Sequence, residues 1–363
     1  ALAICMFSRW LIFFIGATLA AQDFTPLNRF LDGERSKRRI PGYVAAVYYN
    51  GETRWTRAAG IADLKASRPV RRDTPFRIAS ISKSLTATAV MQMVEMRLLG
   101  LEDDVRQYCP AYPVKPFPIR LGQLLGHQGG IRHYRLKVDA DVNNTQHFSS
   151  VQDALRKFAA DPLEHPPGTK FLYTTYGYSL LGCAMEGASG LSYEQWMADK
   201  LFATVGMCDT FPENGQRGLP RRAQGYRIDT AGEVVEAVPV DNSVKVPGGG
   251  YVSTAEDLMR FVDGLYRQKL VRSELLEQMW TSGRLASGKV TGYGLGFSLG
   301  RVAGGDREIY HTGSQQGASC LLYLRPAERF AFVWLTNLER VENRVPLARQ
   351  VYRLTQQIMN NRR

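Results

Sequence analysis

Apolar positions along the chain switch between the two-residue period of strands and the wider spacing of helices, and the switches divide it into three parts. Leu27, Phe30 and Leu31 share one face after Thr25-Pro26, a start signal for a helix. Residues 43–49 and 52–59 read as strands on either side of Asn50-Gly51, the favoured two-residue hairpin turn. Pro75 introduces Phe76 to Thr86, and an apolar run through Leu85, Val90, Met91, Val94, Leu98 and Leu99 predicts a buried helix ending at Gly100. Over 101–241 the pattern becomes helices and long loops. Helices are predicted at 149–160, with Val151, Ala154, Leu155 and Phe158 inward, at 177–185, and from a Ser192/Gln195 capping box to about residue 205. The last third returns to sheet. A capping box at Ser253 and Glu256 opens a helix through Leu258, Phe261, Val262 and Leu265. Strands follow at 292–302, 318–324 and 330–336, and an amphipathic helix at 347–358 carries Val351 and Leu354 inward.

Strands flanked by terminal helices and interrupted by a helical insertion predict an α+β fold. The sheet subdomain is drawn from residues 22–100 and 245–363, the mostly helical subdomain from 101–244, with a cleft between them. At 363 residues, 44% hydrophobic and 22% charged, the chain is long enough for this core. The net charge of +12 invites a nucleic-acid reading. Its arginines, however, occur as scattered pairs (Arg38-Arg39, Arg71-Arg72, Arg221-Arg222, Arg362-Arg363) and form no stripe, which argues against that partner.

Residues 1–21 have the layout of a signal peptide: Arg9 after Met6, an apolar run from Trp10 to Leu19, and small residues at Ala20-Ala21. They predict a secreted or periplasmic protein with no membrane span after cleavage, an uncleaved anchor being the alternative. Cys109, Cys183, Cys208 and Cys320 are widely spaced and form no C-x-x-C, so they read as isolated small apolar residues, although export would permit disulfides. The histidines lack metal-ligand spacing, so neither a catalytic metal nor another cofactor is expected.

Candidate chemistry begins with Ser80 and Lys83, which share one helix face three residues apart. A serine hydroxyl is a weak nucleophile, and a desolvated amine beside it can take its proton. By itself S-x-x-K is a common coincidence. Tyr173, just before a helix, could shuttle a proton with a lowered pKa. His311-Thr312-Gly313 leads a strand at a sheet edge, and Gly248 to Gly250 would let backbone approach closely. Competing motifs are weaker. Ser298 lies in a G-x-S-x-G that sits in a strand-like run, where an ordinary strand residue is expected. His127 and His133 suggest a triad but read better as shaping a loop, and Lys245 reads as a solvated lysine.

Ser80-x-x-Lys83, then Tyr173-Thr174-Thr175, then His311-Thr312-Gly313, in that order, resemble the penicillin-recognising serine hydrolases, in their class C β-lactamase-like branch. That branch holds β-lactamases, D-alanyl-D-alanine carboxypeptidases, carboxylesterases and a mitochondrial serine protease. "FRIASISKSLT", "PGTKFLYTTYGYSLLG", "GGGYVSTAEDL" and "HTGSQQGAS" carry the resemblance across about residues 25–345. It implies a β-lactamase/transpeptidase-like antiparallel sheet and a Ser80 nucleophile served by Lys83 and Tyr173. The implied oxyanion hole is the backbone N–H groups of Ser80 and Ser314. Thr175, His311, Thr312 and Gly313 would contact a small-molecule or peptide acyl substrate. Thr175 stands where many members have Asn, and His311 where β-lactamases have Lys, so peptidase or esterase activity is expected over efficient penicillin hydrolysis. If His311 titrated near 6.5, activity on carboxylate-bearing substrates would rise toward mildly acidic pH. The other class of function is a non-catalytic penicillin-binding-like sensor or scaffold, and the oligomeric state is left open.

Overall fold

The structure, a computed structural model, describes residues 22–135, 139–213, 221–302 and 304–361; residues 1–21, expected to be a signal peptide, lie outside them. A seven-stranded antiparallel sheet forms its centre, built from β1 (Gly42–Tyr49), β2 (Glu52–Asp63), β3 (Arg68–Pro69), β4 (Ser298–Arg301), β5 (Arg307–Gln315), β6 (Ala318–Arg325) and β7 (Phe330–Thr336). The strand order is β3-β2-β1-β7-β6-β5-β4, so the N-terminal hairpin joins the C-terminal strands through the β1–β7 pair. The helices used below are α1 (Thr25–Lys37), α2 (Ser82–Glu95), α3 (Tyr176–Ser189), α4 (Ala255–Tyr266) and α5 (Arg344–Asn360).

Period-two alternation sorts the sheet into two cores. Tyr43, Ala45, Val47, Leu321, Tyr323, Phe332 and Trp334 face α1 and α5, meeting Leu27, Leu31, Leu347 and Val351. Val44, Ala46, Tyr48, Leu322, Leu324 and Val333 face the other way, into a larger core shared with α2, α3 and α4. Helix α2 is buried along almost its whole length, from Ser82 to Met93. An element with that much apolar contact is a rigid mount for a side chain at its N-terminus.

Several predicted elements differ in the structure. The 149–160 helix is only Val151–Leu155: beyond it the chain tightens into three-residue turns, with the Lys157, Phe158 and Asp161 N–H groups donating to the Ala154, Leu155 and Phe158 carbonyls, while Lys115 and Arg132 donate to the carbonyls of Ala159 and Lys157. The 292–302 strand contracts to Ser298–Arg301, since Gly292 (φ 72°) and Gly296 (φ 81°) turn the backbone left-handed. The cap of α4 is Thr254, whose side chain accepts from the Asp257 N–H at 3.2 Å; Ser253 instead pairs with Phe76 as the end of a short strand. Cys109 and Cys183 are not isolated apolar residues but form a disulfide across 74 positions. Folding lays α3 against the turn at Val105–Gln107, a contact that sequence spacing does not encode.

Candidate active site

Ser80 sits in the single turn Ala79–Ile81 that feeds directly into α2. Ala79 has a left-handed φ of 46°, a conformation that costs a non-glycine residue about 1–3 kcal/mol. The surroundings hold it there: the Ser82 hydroxyl donates to the Ala79 carbonyl at 2.7 Å, and the Ile78 N–H donates to the Tyr251 carbonyl at 3.0 Å. One turn on, Lys83 is completely buried, with Nζ 3.3 Å from Ser80 Oγ, 3.1 Å from Thr175 Oγ1 and 2.5 Å from the Gly248 carbonyl. Burial first, and the charge of Lys245 second, hold the Lys83 amine well below its ordinary value. A neutral amine has two hydrogens and a lone pair. The Gly248 carbonyl must accept one hydrogen and Thr175 Oγ1 can accept the other, which leaves the lone pair for the Ser80 hydroxyl.

Tyr173 arrives on the loop that opens α3, its phenol hydrogen-bonded to Ser80 and its ring centroid 4.8 Å from Lys83 Nζ. Burial raises its pKa, contrary to the lowered value expected, so the resting phenol keeps its proton and is a donor. Two histidines pin this loop by accepting from its backbone. His127 Nδ1 takes the Thr174 N–H and His133 Nδ1 the Thr175 N–H, both at 3.2 Å. The His127 carbonyl accepts from the Leu172 N–H at 2.8 Å, and its ring lies 4.3 Å from that of Tyr173. Neither histidine pairs with a carboxylate among the described residues, so both shape the loop and no triad forms.

His311, Thr312, Gly313 and Ser314 lie on β5 beyond the end of its pairing with β4, which stops at Tyr310. This stretch therefore presents a free strand edge beside Ser80, and Thr312 and Ser314 line the cleft. Gly313 is required by contact: a Cβ there would run into the Ile78 carbonyl oxygen, on the backbone that leads into the Ser80 turn. Gly313→Ala is expected to push β5 away from Ser80, costing about 1–3 kcal/mol of stability as well as turnover. Equal denaturation midpoints and equal kcat in the two proteins would contradict that contact.

His311 is buried and fully engaged. Its Nδ1–H donates to the Thr312 carbonyl at 2.8 Å, and Nε2 accepts from the Tyr293 hydroxyl at 2.9 Å. Burial, then the charge of Lys83, holds it down to about 3, so the expected rise in activity on carboxylates near pH 6 has no titrating group behind it here. His133 is likewise held down to about 4 and His127 well below its ordinary value. In the unfolded chain these imidazoles titrate near about 6.5, so below that pH the unfolded state binds protons that the folded state refuses. Stability is expected to fall as pH drops from about 6.5 toward about 5, and a flat thermal midpoint across that interval would refute the buried neutral assignment.

Opposite β5, Gly248 packs on the Tyr173 loop; a Cβ would lie 2.6 Å from Thr175 Cγ2. Lys245, expected in solvent, is 8% exposed and lines the cleft, with Nζ 5.7 Å from the centroid of the Tyr134 ring. Burial first, and Arg77 second, push its pKa down to about 8, against the opposing charge of Glu213. The cleft encloses about 340 Å³ and brings together Ser80, Tyr173, Thr175, Thr312 and Ser314. Ser298 lies outside it, paired with Tyr310 in β4. Tyr293 and Lys245 are the residues that sequence reasoning missed or misplaced. A lone tyrosine in a run read as strand and a lone lysine in a loop-like stretch carry no local signal.

Residues 27–357 match a family model described as Beta-lactamase. The chain belongs to the Beta-lactamase family. Among its relatives, the human mitochondrial serine beta-lactamase-like protein LACTB is 27% identical, over 84% of this chain and 71% of its own length. Penicillin-binding protein 4* of Bacillus subtilis is 29% identical over 84% of this chain and 69% of its own. The octameric penicillin-binding protein homologue of Pyrococcus abyssi superposes with a TM-score of 0.76 at 26% identity, covering 87% of this chain and 73% of that one. This Beta-lactamase family chain thus has the β-lactamase/transpeptidase fold, which it shares with penicillin-binding proteins. No helix of the described residues is long and apolar enough to cross a membrane.

Proposed function

We propose that the protein is an exported serine hydrolase that cleaves peptide or ester bonds through an acyl-enzyme on Ser80. The observation that carries this reading is the buried Lys83 amine 3.3 Å from Ser80 Oγ, with no carboxylate within 4 Å among the described residues to keep it charged. Lys83 takes the Ser80 proton as Oγ attacks the acyl carbonyl, and charge on the carbonyl oxygen falls to the N–H groups of Ser80 and Ser314. The bond to the leaving group breaks as Tyr173 donates its phenolic proton, and Lys83 returns a proton to Tyr173. A water then attacks the ester, its proton passing back to Ser80 Oγ as the C–Oγ bond breaks. Thr312 and the β5 edge hold the substrate, with Gly313 allowing the close approach.

Two features favour peptidase or esterase activity over efficient penicillin hydrolysis. Thr175 Oγ1 is engaged by Lys83 and offers no amide donor, and His311 carries no charge for a β-lactam carboxylate. The Cys109–Cys183 disulfide supports an oxidising compartment. The test is intact-mass and peptide mapping after incubation with a fluorophosphonate, benzylpenicillin, a p-nitrophenyl ester and a D-Ala-D-Ala peptide. An adduct on Ser80 with the fluorophosphonate and turnover of the ester or peptide are expected. A protein that takes no adduct at Ser80 from any of the four is a sensor or scaffold instead.

A further inference from the structure

Lys245 is a mostly buried cation with no anionic partner. It ends the short turn Ser243–Lys245 on the cleft wall, over the Tyr134 ring, and among the described residues its Nζ makes no hydrogen bond and has no carboxylate within 4 Å. A mostly buried ammonium beside an aromatic ring still carries a desolvation cost, which the negative charge of a ligand would offset. The protein does not supply it. Glu213, the acidic group that bears on Lys245, is already held by Arg77 at 2.7 Å, Arg222 at 3.1 Å and Asn242 Nδ2 at 2.6 Å. No aspartate or glutamate among the described residues lines the cleft.

The position also suits a substrate. The point that a Cβ on Gly249 would occupy lies 3.7 Å from Lys245 Cδ and 3.9 Å from the carbonyl carbon of Ala79, so one glycine separates the lysine stem from the nucleophile turn. Neither nearby histidine competes for an anion: His311 has both nitrogens occupied, and His133, which lines the cleft, is held neutral by burial and accepts the Thr175 N–H on Nδ1. We propose that Lys245 binds a carboxylate of the substrate, so that the protein prefers carboxylate-bearing acyl compounds to neutral ones of the same shape. This rests on Ser80 being the nucleophile of the cleft.

Two matched pairs test it: mono-p-nitrophenyl glutarate against p-nitrophenyl valerate, with the carboxylate on the acyl side, and 3-carboxyphenyl valerate against phenyl valerate, with it on the leaving group. The wild type is expected to favour the charged member of at least one pair in kcat/KM. Lys245→Met should lower that ratio by about tenfold or more, the scale of a lost hydrogen bond to a charged group, and Lys245→Arg should keep most of it. Fluorophosphonate labelling of Ser80 identifies folded, competent protein, and Lys245→Gln replaces the Met variant if that one does not label. A ratio near one in the wild type for both pairs, or a preference that survives in labelled Lys245→Met or Lys245→Gln, overturns the role of Lys245. Absence of label in the wild type would instead count against the hydrolase reading itself.

Discussion

Ser80→Ala is expected to reduce ester turnover by about 10³-fold or more and to abolish fluorophosphonate labelling, with little change in stability. Ser80 Oγ lies 3.3 Å from Lys83 Nζ and lines the cleft with Tyr173, facing the free edge of β5. Removing it deletes the nucleophile but leaves Lys83 bound to Thr175 Oγ1 and the Gly248 carbonyl, so the amine does not become an orphan. The turn survives too, since it is held by Ser82 and by the Ile78–Tyr251 contact. Paired rate measurements and thermal melts of the two proteins check both halves. Undiminished turnover in the variant would place the nucleophile elsewhere.

Lys83→Met is expected to lose about 10²–10⁴-fold in turnover, the usual range for a positioned general base. Its effect on stability has a definite pH signature. The Lys83 amine is held well below its ordinary value in the folded protein and titrates near about 10.4 when unfolded. Between those values the unfolded chain binds a proton that the folded protein does not, so lysine destabilises the fold increasingly as pH falls below about 10.4. Methionine has no such penalty, although it leaves the Gly248 carbonyl without its donor. The melting temperature of Lys83→Met relative to the wild type should therefore rise steadily from about pH 10 to about pH 7. A constant difference across that range would mean that Lys83 is charged in the folded protein, and the proton path proposed for Ser80 would fail with it.

The sequence carries the parts of this site that are local. Ser80 and Lys83 are one helical turn apart, Tyr173 precedes a helix, and Gly313 follows His311 and Thr312 on a strand; each relation is short-range, and the structure places Ser80, Tyr173 and Thr312 in one cleft with Lys83 buried beside Ser80. The hairpin at Asn50-Gly51 and strand Phe330–Thr336 were legible for the same reason: turn chemistry and alternation act between neighbours. Elements differ from expectation where distant partners decide. Lys115 and Arg132 bind carbonyls at the end of the helix expected at 149–160, and Gly294 and Gly296 interrupt the strand expected at 292–302 where they pack against Met279 and Ala87.

By itself, then, the sequence determined the order of motifs, the α+β class and which side chains are candidates for the chemistry, because these depend on residue type and on spacing within a turn or a strand. Tertiary structure alone decided their protonation. Tyr173, His311 and Lys245 differ from expectation for one reason, burial, which penalises the charged form of each and is set by residues far away in the chain. It also decided which cation faces the cleft: His311 is closed off by Tyr293 and its own strand, while Lys245 is carried inward by the turn before the glycine cluster and has no carboxylate within 4 Å among the described residues.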